Sequence, residues 1–125
     1  MDIEEKKKKL SELEYKVTQE KATEAPFSGE LLDNKEKGKY VCKVCEQVLF
    51  SSDAKFDSGT GWPSFDKPEN LEHVKLIEDT TAGMSRTEVV CKNCGAHLGH
   101  VFNDGPATTG ERYCINSCSL DFKKD

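Results

Sequence analysis

The sequence predicts a mainly β domain with an N-terminal helical extension. From Tyr40 onward, short apolar segments alternate with dense turn residues, which is typical of short strands. The first part of the chain instead contains good helix formers with one apolar stripe. The chain has 125 residues, about one domain. We therefore expect a helical extension at residues 1–21 and a single domain at residues 22–125.

The extension is expected to be helical from residue 3 to about residue 21. Leu10, Leu13 and Val17 recur at i, i+3 and i+7, which places them along one narrow face. Most other residues are Lys, Glu and Gln, which favour helices. Four lysines at residues 6–9 have acidic neighbours, so we interpret them as a solvated helix face.

A wrapping loop is expected at residues 23–38, because Pro, Gly and Asn interrupt any periodic pattern there. Strands are expected where apolar runs lie between turn residues. These runs are YVCKVC (40–45), QVLF (47–50), TEVVC (87–91), HVF (100–102) and RYCINSCSLDF (112–122).

Composition excludes several classes of protein. The net charge of −5 argues against a general nucleic-acid binder, which needs clustered cations. No apolar run is long enough to span a membrane. The N-terminal residues MDIEEKKKKL lack the apolar core of a secretory signal, so we expect a cytoplasmic protein with reduced thiols. Its six cysteines then indicate metal ligands or redox chemistry.

Four of the cysteines form two Cys-x-x-Cys pairs, Cys42 with Cys45 and Cys91 with Cys94. Four thiolates are the complete ligand set of a tetrahedral structural zinc, so we expect one Zn²⁺ per chain. Gly95 allows the tight turn after the second pair. Because the pairs are far apart in the chain, this site would join distant parts of the domain. A thioredoxin-type dithiol is the alternative, but no βαβ unit is predicted around either pair.

Two further segments carry candidate site residues. DSGTGWPSF (57–65) contains Trp62, either as a core residue in a rigid turn or as an aromatic wall at the rim of a site. GAHLGHVFNDGP (95–106) contains His97 and His100, either as turn caps, as metal ligands in place of a cysteine, or as groups that transfer protons near neutral pH. His73 is expected to be a surface residue.

Cys114 lies outside both pairs and follows Arg112 by two residues. Nearby cations lower the pKa of a thiol, and the thiolate is the reactive form. Cysteine, arginine and histidine together are the components of an activated nucleophile. The alternative is a buried, inert cysteine.

The motifs CKVC, GWPSF, RTEV, CKNCGAHLGHVF, NDGP and TGERYCINS, followed by SL and Phe122, resemble the peptide-methionine (R)-S-oxide reductases. This family is the type B methionine sulfoxide reductases, here in the zinc-bearing form. The likeness extends from about Lys16 to Phe122, in one order, and the segment ATEAPFSGELLDN (22–34) is similar to the family's N-terminal wrapping segment.

The resemblance implies two small antiparallel sheets, a zinc bound by the four paired cysteines, and reduction of the R epimer of methionine sulfoxide. It implies that Cys114 is the nucleophile and becomes a sulfenic acid. Trp62 would hold the substrate methyl group, His100 and His97 would surround the sulfoxide oxygen, and Asn116 would fix substrate or water. Arg112 is expected to bind substrate as well.

The sequence departs from the family at residue 60, where many members carry a second, resolving cysteine and this chain has Thr60. Cys118 is a candidate substitute. If residues 112–122 form one extended strand, its Cα atom lies about 13 Å from that of Cys114, too far for a disulfide without a bend. We therefore interpret Cys118 as a small packing residue and expect thioredoxin or another dithiol to reduce the sulfenic acid.

Two other classes of function stay open from the residues alone. A non-catalytic zinc-bearing binding module would need the cysteine pairs and Trp62, but not Cys114. A redox sensor or zinc store would release its metal when oxidised. For the reductase, we expect a monomer that acts on oxidised methionine in proteins or on free methionine sulfoxide.

Overall fold

The computed structural model describes residues 3–80, 85–106 and 108–124 and shows a mainly β fold. The elements are α1 (Ile3–Lys8), α2 (Glu12–Glu20), β1 (Gly38–Cys42), β2 (Val48–Ser51), β3 (Lys55–Phe56), β4 (Ser64–Phe65), β5 (Val74–Asp79), β6 (Arg86–Cys91), β7 (His97–Phe102), β8 (Arg112–Ile115) and β9 (Leu120–Lys124). They form two antiparallel sheets, which confirms the predicted fold class. One has the order β2-β1-β9, and the other has the order β3-β4-β8-β7-β6-β5.

The extension contains two helices where one was predicted. Ser11 interrupts the helical run because it caps α2: its hydroxyl accepts from the Glu14 backbone N–H (3.1 Å), and its own N–H donates to the Glu14 carboxylate (2.8 Å). Of the apolar stripe, Val17 is fully buried, whereas Leu13 is 50% exposed. Helix α2 packs against β7. No helix in the described part of the chain is long and apolar enough to cross a bilayer.

Aromatic rings from both sheets meet in the core. Phe50 on β2 stacks on Phe65 of β4 with 4.3 Å between ring centroids. Tyr40 on β1 meets Phe65 edge to face at 5.1 Å. All three rings are fully buried, and their contacts hold the two sheets together.

The segment 112–122 is not one extended strand, contrary to expectation. Strand β8 ends at Ile115 and belongs to the six-stranded sheet, whereas β9 belongs to the three-stranded sheet. A 3-10 turn at Ser117–Ser119 redirects the chain between them. The spacing calculated for an extended strand therefore does not apply to Cys114 and Cys118. Strand β5 was not predicted at all.

Candidate active site

The six-stranded sheet aligns four polar side chains in one row. Cys114 on β8 is directly opposite Ser64 on β4 and His100 on β7, and His100 is directly opposite Glu88 on β6. Directly opposite residues in antiparallel strands project from the same face. The sheet therefore places the Cys114 thiol between a hydroxyl and an imidazole.

Strands β7 and β8 approach closely at this row. A Cβ atom on Gly99 would lie 2.0 Å from the backbone oxygen of Cys114, which is far inside contact distance. Glycine is therefore required at residue 99 for the two strands to pair in this register.

A cleft of about 180 Å³ opens over the row. Five residues singled out from the sequence line it: Trp62, His100, Arg112, Cys114 and Asn116. Thr23, Thr60, Arg86, Gly99 and Phe102 complete the lining. His97 is buried and does not line the cleft. The arrangement presents one thiol, an indole and an imidazole to any small molecule in the cleft.

The predicted wrapping loop borders the cleft at Thr23, and the next residue, Glu24, fixes two of its walls. The Trp62 indole N–H donates to the backbone oxygen of Glu24 (3.1 Å). The Glu24 backbone N–H donates to the side-chain oxygen of Asn116 (3.0 Å), and the Asn116 amide donates to the Leu98 carbonyl (3.0 Å). Both side chains are therefore held in one orientation by main-chain groups.

His97 lies beneath the cleft and is held by a buried carboxylate. Its Nδ1–H donates to Glu88 (2.8 Å), and Lys21, just after α2, also binds Glu88 (3.2 Å). Burial lowers the pKa of His97, although the hydrogen bond to Glu88 acts in the opposite direction. Its Nε2 has no hydrogen-bond partner among the described residues.

His100 is also oriented by a carboxylate. Its Nε2 lies 2.8 Å from Asp79, and Arg86 lies 3.4 Å from the same oxygen. The rings of His97 and His100 meet edge to face, with centroids 5.6 Å apart. Each imidazole is thus fixed through one nitrogen. The His100 ring lines the cleft, whereas the second nitrogen of His97 is buried.

Arg112 is fixed beside the thiol. Its guanidinium binds both oxygens of Asp104 (2.9 and 3.3 Å) and lies over the Phe102 ring, 4.6 Å from the centroid. Burial raises the pKa of the Cys114 thiol, whereas Arg112 and a hydrogen bond with Thr60 act in the opposite direction. Because the net shift is upward, Cys114 is mainly a thiol at neutral pH.

Cys118 opens into a different groove, on the other side of Glu24. That groove is lined by the start of α2, the wrapping loop and the start of β9. The Cys118 backbone N–H donates to the Glu24 carboxylate (2.9 Å). Burial and that carboxylate raise the pKa of Cys118 to about 12, so the thiol is inert at neutral pH.

The four paired cysteines converge at the turns β1–β2 and β6–β7. Their sulfur atoms all lie within 4.8 Å of one another, and Cys42–Cys94 and Cys45–Cys91 are each 3.6 Å apart. Tetrahedral zinc with Zn–S bonds of 2.3 Å would need about 3.8 Å between sulfurs, so the cluster fits such an ion. The cluster joins the two sheets, as the distance between the pairs predicted.

The two cysteine turns have the same shape. The residue after each pair has a positive φ, Glu46 at 63° and Gly95 at 80°. The predicted tight turn at Gly95 is confirmed, and the first turn adopts the same conformation without glycine. The matching turns present both pairs of sulfurs in the same way, which suits a shared ion.

Several site residues were missed by sequence reasoning. Glu24, Asp79 and Glu88 lie in unrelated segments and gain their roles through register and loop placement. For Glu88, an acidic residue within the apolar run TEVV was an available signal. His73 is partly buried and not a free surface residue, because its Nδ1 lies 2.7 Å from the Val48 carbonyl.

Comparison with known proteins adds three findings. The SelR domain family matches residues 10–124. The peptide methionine sulfoxide reductase MsrB of Methanosarcina barkeri (strain Fusaro / DSM 804) is 61% identical over 122 residues, which cover 98% of this chain and 86% of that protein. The crystal structure of the Mis18 'Yippee-like' domain matches with a TM-score of 0.57 and 18% identity over 71% of this chain and 97% of that one, a likeness of fold alone.

Proposed function

Because this chain belongs to the SelR domain family of MsrB-type peptide methionine sulfoxide reductases, we propose that it reduces the R epimer of methionine sulfoxide with Cys114 as the nucleophile. The chain is an oxidoreductase that acts on methionine sulfoxide. Its family thus favours an enzyme over a non-catalytic zinc module. The observation that carries the finer proposal is the row in which Cys114 lies between His100 and Ser64 and faces the Trp62 cleft.

The reaction balances with one thiol. The Cys114 thiolate attacks the sulfoxide sulfur, and the oxygen takes one proton as negative charge builds on it. The hydroxyl then passes to the Cys114 sulfur: a sulfur–oxygen bond forms at Cys114 while the sulfur–oxygen bond of the substrate and the transient sulfur–sulfur bond break. The products are methionine and Cys114 sulfenic acid, so the sulfoxide is reduced by two electrons and the cysteine is oxidised. Arg112 beside the thiol supports the anionic nucleophile.

The proton is proposed to come from His100, with His97 behind it. Asp79 orients His100 through the 2.8 Å contact with its Nε2, which holds the ring at the cleft. His97 is held neutral by burial, and its Nε2 is available as an acceptor for a water or for the developing hydroxyl. Asn116, fixed by Glu24 and Leu98, would hold substrate or water in place.

Selection of the R epimer is proposed to follow from three fixed contacts. Trp62 would receive the methyl group, the histidines the oxygen, and Cys114 would then face the sulfur from the remaining side. Arg112 is proposed to contact the substrate at the rim. In the S epimer, oxygen and methyl group would exchange places, and the oxygen would meet the indole.

The four-cysteine cluster is proposed to hold one structural Zn²⁺. All four ligands would be thiolates, so no position would be open for substrate and the ion would stabilise the fold. This fits the separation of the cluster from the cleft: no cluster cysteine lines it.

Recycling is proposed to use an external dithiol such as thioredoxin. One thiol of the reductant would attack the Cys114 sulfenic acid and release water, and its second thiol would free Cys114 as a disulfide forms in the reductant. Thr60 supplies no resolving thiol, and Cys118 faces a separate groove. The monomeric state, the cytoplasmic location and the boundary between residues 21 and 22 stay predictions.

A single-turnover experiment tests the proposal. The protein is mixed with separated R and S epimers of a blocked methionine sulfoxide without reductant, and oxidised cysteines are then mapped by mass spectrometry. We expect one equivalent of methionine from the R epimer only, with Cys114 oxidised and the paired cysteines unchanged. Equal turnover of both epimers, or oxidation confined to other cysteines, would contradict it. Cys114→Ser is the matched control.

A further inference from the structure

Three hydroxyl groups form a hydrogen-bonded chain beside the cleft. Ser58 Oγ lies 2.8 Å from Thr60 Oγ1 and 2.7 Å from Ser64 Oγ. The Ser64 hydroxyl also reaches the backbone oxygen of Trp62 (3.2 Å). Ser64 is fully buried and the other two are partly buried, so the chain runs from the cleft, which Thr60 lines, into the protein interior. The reaction described above gives these hydroxyls no role.

One end of this chain is at the nucleophile. Thr60 lines the same cleft as Cys114, and Ser64 is directly opposite Cys114 across β4 and β8. Burial raises the pKa of Cys114, and a side-chain hydrogen bond with Thr60 opposes that effect. Because Thr60 lines the cleft with Cys114 and its hydroxyl contacts Ser58, it is the hydroxyl that can join the thiol to the two serines.

We propose that Ser64, Ser58 and Thr60 form a reversible hydroxyl relay that donates a hydrogen bond through Thr60 to the Cys114 thiolate. Each hydroxyl carries one proton and accepts up to two hydrogen bonds. This count allows two arrangements of the chain, one for each protonation state of the sulfur: four hydrogen bonds for the thiol, and three for the thiolate, in which the Trp62 carbonyl loses its donor.

In the thiol state, the hydrogen bonds run away from Cys114. The thiol donates to Thr60, Thr60 to Ser58, Ser58 to Ser64, and Ser64 to the Trp62 carbonyl. In the thiolate state, all three hydroxyls rotate, so that Ser64 donates to Ser58, Ser58 to Thr60, and Thr60 to the sulfur. No O–H bond breaks. Three aligned O–H dipoles then point at the negative charge, and they strengthen one another in a site of low dielectric.

Four charged or titratable groups also face Cys114 from the surrounding elements. Arg112 lies on the same strand, His100 on β7 and Arg86 on β6, and Glu24 faces it from the wrapping loop. Thr60 carries no charge, so its hydroxyl can be removed without altering any of these four groups.

The test measures the rate of Cys114 alkylation by iodoacetamide as a function of pH, resolved by peptide mass spectrometry, in a Cys118→Ser background. Thr60→Val removes the hydroxyl at nearly constant volume, and we expect it to raise the pKa of Cys114 by about one pH unit. Thr60→Ser keeps the hydroxyl and should match the parent. Ser58→Ala should give a smaller shift in the same direction, because Thr60 loses the donor behind it.

Three results would overturn the relay: superimposable profiles for Thr60→Val and its parent, an equal shift in Thr60→Ser, or a Ser58→Ala profile identical to the parent. If Thr60→Val fails to fold, Ser58→Ala still decides. The inference rests on the proposed role of Cys114. Alkylation needs no turnover, however, so a failed relay is distinguishable from a failed single-turnover experiment.

Discussion

Cys114 and Cys118 are four residues apart, but they lie in opposite electrostatic surroundings. Burial raises the pKa of both thiols, but Cys114 lies on β8 beside the Arg112 guanidinium and the Thr60 hydroxyl, which oppose that rise. Cys118 lies in the next turn beside the Glu24 carboxylate, which disfavours its thiolate and, with burial, raises its pKa to about 12. The comparison shows that the reactivity of a thiol is set by what the fold places next to it and not by its neighbours in the chain.

Glu24 separates the two environments. Its main chain supports the Cys114 side by fixing Trp62 and Asn116, and its carboxylate accepts from the Cys118 backbone. The wrapping loop thus orients two walls of the cleft and also raises the pKa of Cys118. A weakly reactive Cys118 fits the proposal that an external dithiol reduces the sulfenic acid of Cys114.

The largest effect is expected from replacing Cys114, the thiol that lines the cleft. Cys114→Ser removes the proposed nucleophile, and we expect reductase activity to fall by at least about 10³-fold. Cys118→Ser, the matched control, should keep activity within about twofold, because this thiol does not line the cleft. Steady-state rates with methionine sulfoxide and a dithiol check both. Comparable losses in the two variants would contradict the assignment of roles.

The next largest effect is expected on stability, from removing a metal bound by the four-cysteine cluster. Strand β8 and β9 belong to different sheets, and the four-cysteine cluster joins those sheets. Removing a bound metal with a chelator should cost several kcal/mol of unfolding free energy, comparable to the whole stability of a typical small domain. Thermal unfolding with and without chelator measures this, and added Zn²⁺ should restore the midpoint.

A matched variant assigns that loss to the cluster. Cys91→Ser should reproduce the effect of the chelator and bind no zinc, whereas Cys118→Ser should unfold and bind metal as the parent does. Midpoints that do not respond to chelator or to Cys91→Ser would show that the cluster is not a structural metal site.

The sequence predicted what depends on local spacing and missed what depends on register. The cysteine pairs and the turn at Gly95 are encoded within a few residues, and the structure has both. The contacts of Glu24 with Cys118 and of Glu88 with His97 join segments far apart in the chain. No single-sequence pattern carries that information.

Two strand errors have physical causes. Strand β5 has four consecutive exposed residues after Val74, so it shows no alternation of apolar and polar side chains. The break between β8 and β9 was hidden because the 3-10 turn at Ser117–Ser119 contains small residues that are compatible with a strand. This turn is held by residues distant in the chain: the Leu31 N–H donates to Ser117 Oγ (2.9 Å), and Ser119 Oγ donates to the His97 carbonyl (2.9 Å).

The smallest effect is expected from changing the charge beside Cys118. Glu24→Gln keeps a side-chain oxygen for the Cys118 backbone N–H but removes the negative charge, so the pKa of Cys118 should fall from about 12 by about one unit. Below that pKa, the thiolate fraction of Cys118, and hence its alkylation rate, should rise about tenfold. The pKa of Cys114 should fall less, because Glu24 is a minor influence on it compared with burial and Arg112. Glu30→Gln, an exposed change in the same groove, is the control, and an equal effect there would mean that general charge and not the Glu24 contact silences Cys118.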